Sequence, residues 1–240
     1  MAERAGTKVG GVVAGFPSAI VVALFFIGWT QSAQSASDAT TLVPIVMGIA
    51  TLFSVVFVFL YPIHFYVAVA AGLGLWFVLS LTLIIVAFDS FFYSIWGLVL
   101  LYCSSFLLME KVLKIRSVGR KSVNYTVIHI LFRGIFSGGI IALAVAVAKA
   151  GGPIVGGVFA SFPAVMLSAM VINHFTHGRE FASAFAKTMA SSGPLNATIY
   201  AISVRYFYPM AGLVLGTVMA LIVSLVAGLV IYRFLSRNMS

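Results

Sequence analysis

Val9-Gly10-Gly11-Val12-Val13-Ala14-Gly15-Phe16-Pro17 returns later in the chain as Val155-Gly156-Gly157-Val158-Phe159-Ala160-Ser161-Phe162-Pro163. Seven of the nine positions are identical, at an offset of 146 residues. Tyr61-Pro62 then returns as Tyr208-Pro209 at an offset of 147. A helical unit is therefore present twice, and the helices lying between the copies decide how the two are related.

Those helices are set by composition. Hydrophobic residues make up 62% of the 240 positions and charged residues 8%, and the mean hydropathy is +1.16. A soluble domain of this length cannot hide so much apolar surface. A helix crossing a bilayer needs about 20 apolar residues, and this chain has many such runs. They are continuous, unlike the alternating strands of an outer-membrane barrel. The spacing predicts an all-α polytopic membrane protein with about eight spans, near 9–30, 42–61, 64–88, 91–110, 124–148, 155–173, 182–204 and 209–232. Residues 1–240 read as a single transmembrane domain.

The net charge of +9 does not point to nucleic acid, because the basic residues sit in short loops between apolar spans, the positive-inside pattern. Lys111, Lys114, Arg116, Arg120 and Lys121 place the loop after span 4 in the cytoplasm. Counting outward puts both termini there too, in a multi-pass protein of the cell membrane. A cleaved signal peptide also carries basic residues, an apolar stretch and a small-residue site. Such a peptide has no reason to copy a motif found at residue 155.

The glycine-phenylalanine-proline motifs open spans 1 and 6. Five spans separate them, so they enter from opposite faces. Spans 1–3 (about 9–88) and 6–8 (about 155–235) are then inverted repeats, with residues 91–148 between them. Inverted repeats are common in transporters.

Residues 126–235 resemble the small four-span membrane proteins of the GlpM type and their uncharacterised relatives, with a partial second copy at 9–88. The likeness rests on a span ending in Ala148-Lys149-Ala150, then Gly156-Gly157-Val158-Phe159-Ala160-Ser161-Phe162-Pro163, then two further spans. The resemblance implies a fold and a loose tie to envelope polysaccharide production, and no settled molecular activity.

Candidate site residues follow from the chemistry. Gly10, Gly11, Gly156 and Gly157 allow close backbone approach, in a small-xxx-small pattern that also serves plain helix packing. Pro17 and Pro163 remove a donor and break the helix. Two broken helix starts facing each other would offer N-terminal dipoles to an anion. Pro194, within Ser191-Ser192-Gly193-Pro194-Leu195-Asn196-Ala197-Thr198, supplies a third hinge. Ser191, Ser192, Asn196 and Thr198 are candidates for lining a substrate site, or for hydrogen-bonding between helices around a structural kink. Arg133 sits deep in span 5, where a charge is expensive and usually faces a partner or cavity. Lys187 lies nearer its span end and is expected to snorkel to the headgroups.

Glu3, Asp38, Asp89, Glu110 and Glu180 all fall at span ends or in loops. Coupling through a midplane carboxylate is therefore not expected, nor is transport of a divalent metal, which wants oxygen ligands. Cys103, the single cysteine, excludes an internal disulfide. His174 and His177 lack a third ligand, so no metal site and no cofactor is assigned. No paired-aspartate, HExxH or nucleophile-base motif is present, so no enzyme is expected.

The leading reading is a transporter, channel or lipid translocase for an anionic or small neutral solute or a lipid headgroup. The alternative is a non-catalytic scaffold or auxiliary subunit of an envelope-synthesis complex. The bilayer is the expected partner. The aromatic residues of span 4 (Phe91, Phe92, Tyr93, Trp96 and Tyr102) read as a lipid-facing or homodimer surface.

Overall fold

The computed structural model describes residues 15–115 and 127–238, without the side chains of 129, 130, 133 and 235–238. These residues form an all-α protein. The helices are α1 (Ser18–Thr30), α2 (Ala33–Ala39), α3 (Val43–Leu60), α4 (Phe65–Ile85), α5 (Phe91–Leu107), α6 (Val127–Gly151), α7 (Pro153–Ala160), α8 (Ala164–His177) and α9 (Arg179–Asn238). A π-helical turn, Leu108–Val112, continues α5. Six segments are long and apolar enough to cross a membrane, taking α7 and α8 together as Pro153–His177. Six such helices make this a multi-pass membrane protein.

The expected boundaries are corrected in two places. The segments expected at 182–204 and 209–232 are the two arms of α9, and the break between them lies at Gly212 (φ 76°, ψ 178°), later than expected. Sixty residues would extend about 90 Å at helical rise, far more than one bilayer crossing. The positive φ at Gly212, open to glycine without steric cost, lets the chain fold back. Tyr208 Oη lies 2.7 Å from Thr217 Oγ1, and Ser224 donates to Asn196 Oδ1 at 2.8 Å. These pairs close on either side of the break, so the two arms of α9 are antiparallel neighbours.

The segment expected at 155–173 is broken at Ser161–Pro163 and extends to His177. Within the segment expected at 9–30 the described helix is Ser18–Thr30, and positions 9–14 lie outside the described residues. At 13 residues, α1 reaches only about 20 Å, less than a hydrocarbon core of about 30 Å. The chain expected as a loop around Asp38 holds α2. Ser32 caps it by accepting the Ser35 N–H, and Ala36, Ser37 and Ala39 are buried.

Helix α3 is the central element, packed against α4, α5 and α9. It carries no charge, and most of its residues are buried. In lipid there is little hydrophobic gain from bringing helices together, so close packing and polar contacts do that work. Accordingly, Ser94 Oγ accepts the Ile45 N–H at 3.0 Å, and Thr51 Oγ1 lies 2.9 Å from Ser105 Oγ. The outward faces of α4, α5 and the second arm of α9 are apolar and exposed.

Candidate functional site

The two phenylalanine-proline motifs have the same local structure. Pro17 has φ −77° and ψ 43°, and Pro163 has φ −76° and ψ 45°. Ser18 N–H donates to Phe16 O at 2.8 Å, and Ala164 N–H donates to Phe162 O at 2.7 Å. Each is a three-residue turn centred on a proline. Each proline carbonyl then accepts the first helical bond, from Val21 at 2.9 Å and from Leu167 at 2.8 Å. The Phe159 carbonyl, deprived of a partner by Pro163, accepts from Phe162 N–H at 3.1 Å. No side chain caps α1 or α8.

Both turns line one small cavity, of about 80 Å³, together with Gly193 and Pro194 of α9. Met47 and Ala50 of α3 close one side, and Ala197 of α9 lies opposite. Met47 and Gly193 are 146 residues apart, and Ala50 and Ala197 are 147 apart. The lining therefore repeats at the offset of the motif itself. Met47 and Ala50 were not singled out from the sequence, although that offset would have found them.

The helices that leave the cavity run in opposite directions. A methyl group added at Gly28, near the far end of α1, would lie 3.7 Å from the Tyr208 ring. Near the far end of α8, His174 Nδ1 lies 2.5 Å from Tyr61 Oη. Tyr208 thus lies at the far end of α1, and Tyr61 at the far end of α8. Helices α3 and α9 are antiparallel: Arg205 donates to Thr41 Oγ1 at 3.2 Å where α3 begins, while Pro62, beyond its end, shares a cleft with Arg179 and Ser183.

The expected hinges Pro17, Pro163 and Pro194 are brought together. The other expected residues do different work. Gly156 packs so tightly that a side chain there would collide with Ala148, and one at Gly157 would collide with the Ala39 carbonyl oxygen. Ser191 donates to Lys187 O at 2.8 Å and Ser192 to Thr188 O at 3.1 Å, the back-bonding common for helical serines. Asn196 accepts from Ser224, and the Thr198 hydroxyl is buried with no hydrogen-bond partner among the described residues. Ser191, Ser192, Asn196 and Thr198 therefore flank the cavity without lining it. Gly10 and Gly11 lie outside the described residues, as does the side chain of Arg133.

Two expectations about polar side chains are corrected. Lys187 does not snorkel: it is 1% exposed, pairs with Glu110, and donates to Ile115 O at 2.5 Å. The π-helical turn after α5 and the first arm of α9 are tied together by this pair. Tyr102 does not face lipid, because its hydroxyl donates to Ser191 O at 2.7 Å. That carbonyl lies three residues before Pro194, in the first arm of α9. Phe92, Tyr93 and Trp96 do face outward.

At the opposite end of α9, Arg205 reaches Ser37 O and Thr40 Oγ1, and its guanidinium lies 4.4 Å over the Phe91 ring. His174 stacks on Phe65, and His177 Nδ1 lies 2.6 Å from Thr176 Oγ1. Among the described residues, no group of three His, Cys, Asp or Glu side chains comes together.

Residues 130–237 match the family described as a protein of unknown function, DUF3147. No curated protein and no solved structure matches the chain.

Proposed function

We propose that the protein is an integral membrane transporter, channel or lipid translocase, working by alternating access around an axis that relates two inverted repeats. The observation that carries this reading is the convergence of Pro17, Pro163 and Pro194 on one cavity. Two uncapped helix N-termini open there, and such ends favour negative charge. Broken helices that meet at a binding site between repeats are a recurring transporter design. The opposed directions of α1 and α8 support inversion. A volume of about 80 Å³ suits a few waters or a small ion, since one water needs only about 10–15 Å³ measured this way. A small anionic or neutral solute is therefore the substrate class in this conformation, and a lipid headgroup would require the cavity to open. The basic end of the bundle, with both termini, is assigned to the cytoplasm by the positive-inside rule. The likeness to GlpM-type proteins fits a chain holding two copies of a unit that those proteins carry once.

The alternative is a scaffold or auxiliary subunit of an envelope-synthesis complex. The packing of Gly156 and Gly157 against neighbouring backbone favours it, since these glycines are fully explained by assembly.

Cysteine accessibility separates the two without knowledge of a substrate. On a Cys103→Ser background, Ala50→Cys and Ala197→Cys place a thiol in the cavity. For a transporter, a small impermeant thiol reagent labels each from both sides of oriented vesicles, at different rates. For a scaffold, neither is labelled from either side. Thr7→Cys and Gly152→Cys should be labelled from opposite faces, and labelling from one face would remove the inverted-repeat basis of the proposal.

A further inference from the structure

A second and larger cavity, about 410 Å³, lies where α3 ends. Its size falls in the range of small-molecule sites, roughly 300–1,000 Å³. Pro62, Lys114, Ile115, Arg179, Glu180 and Ser183 line it. The lining carries two cations against one carboxylate, so it favours an anion.

The cations are held by structure. Lys114 has a positive φ of 49°, in the region that side-chain-bearing residues seldom adopt. Its neighbour Ile115 is fixed twice: its N–H donates to Met109 O at 3.2 Å, and its carbonyl accepts the Lys187 ammonium at 2.5 Å. The buried Lys187–Glu110 pair thereby seats Lys114 at the cavity rim. Arg179 opens α9 directly after Gly178 (φ 80°), which turns the chain back from α8. The first turn of α9 adds the positive end of its dipole.

A separate observation points to a ligand. Ser183 is 7% exposed and lines the cavity, yet among the described residues no protein group is hydrogen-bonded to its hydroxyl. The phenol of Tyr61, beside Pro62, is pushed up to about 12 by burial, against the lowering pull of Arg179. It therefore stays neutral and adds no repulsion. Basic pockets between helices at a membrane surface are common seats for phosphate headgroups.

We propose that this cleft binds a phosphate group, gripped by Lys114 and Arg179 with the Ser183 hydroxyl as a further donor. The group belongs either to an anionic phospholipid or to free phosphate. The site is separate from the proline-lined cavity and does not depend on transport.

The test uses the full-length protein in nanodiscs. Native mass spectrometry reads retention of phosphatidylglycerol against phosphatidylcholine, and equilibrium binding of labelled inorganic phosphate is measured in phosphatidylcholine alone. Lys114→Gln with Arg179→Gln should cut binding of the preferred probe about tenfold or more, as expected for losing two charge-assisted contacts. Glu180→Gln should raise it severalfold, a gain that misfolding cannot imitate. Preference for phosphatidylglycerol identifies the lipid as the source. Phosphate binding with no lipid preference identifies the free ion. Equal binding by wild type and the double variant for both probes would overturn the proposal, as would a Glu180→Gln change that lowers binding.

Discussion

The two phenylalanine-proline breaks share their backbone angles, yet their surroundings differ. At the first, Gly15 sits against α9, where an added Cβ would come within 2.9 Å of Gly193 N. At the second, the matching residue is Ser161, fully buried, which donates to Gly157 O at 2.8 Å within its own turn. The partner helices differ more. Helix α3 carries no charge and stops before Tyr61-Pro62, with His64 extended ahead of α4. Helix α9 carries Lys187 and Arg205, passes through Tyr208-Pro209, and breaks only at Gly212. A short motif can preserve a turn through duplication. The cations that anchor helix against helix, Lys187 and Arg205, lie in α9 and have no counterpart in α3.

Each feature of that contrast can be broken separately. The largest effect is expected from Gly157→Leu, which drives a side chain into the Ala39 backbone and should cost about 3 kcal/mol or more. Size-exclusion profiles of detergent extracts should lose the monodisperse peak. Gly134→Ala, with nothing within 4 Å of the new methyl group, should leave the profile unchanged. A monodisperse Gly157→Leu protein would mean that α2 is not packed on α7 as described.

Lys187→Met should follow, at roughly 3 kcal/mol, because Glu110 is left without its cation in a largely buried place. The thermal midpoint should fall, and adding Glu110→Gln should restore much of it. If the double variant is no better than the single, the pair is not what joins α5 to α9.

The reciprocal exchange tests the two breaks directly. Gly15→Ser should cost about 1–3 kcal/mol through overpacking on Gly193. Ser161→Gly should cost about 0.5–1 kcal/mol, from lost side-chain contacts and added backbone freedom. Equal thermal shifts would show that the breaks are more alike than their packing suggests. The smallest effect is expected for Tyr102→Phe, about 1 kcal/mol or less from one hydrogen bond to the Ser191 carbonyl of α9, read as a small drop in the same midpoint.

The membrane-spanning, all-helical character was legible because long apolar runs admit few other structures in lipid. The duplicated motif located Pro17 and Pro163, and the kink chemistry of proline located Pro194. Sequence alone thus determined the turns at Pro17 and Pro163, since proline acts locally, but not that α9 runs through Pro194 and Pro209 and breaks at Gly212. It did not determine which polar side chains face the cavity. Ser191, Ser192 and Asn196 share a helix with Pro194, but rotation about the helix axis and the nearest acceptor turn them elsewhere. Lys187 looked able to reach the headgroups because its partner Glu110 lies 77 positions away (187 minus 110). The contact of α2 with α7 is likewise long-range. Only tertiary structure decided these matters: in lipid each buried polar group must find a partner, and which partner is in reach depends on how the helices cross.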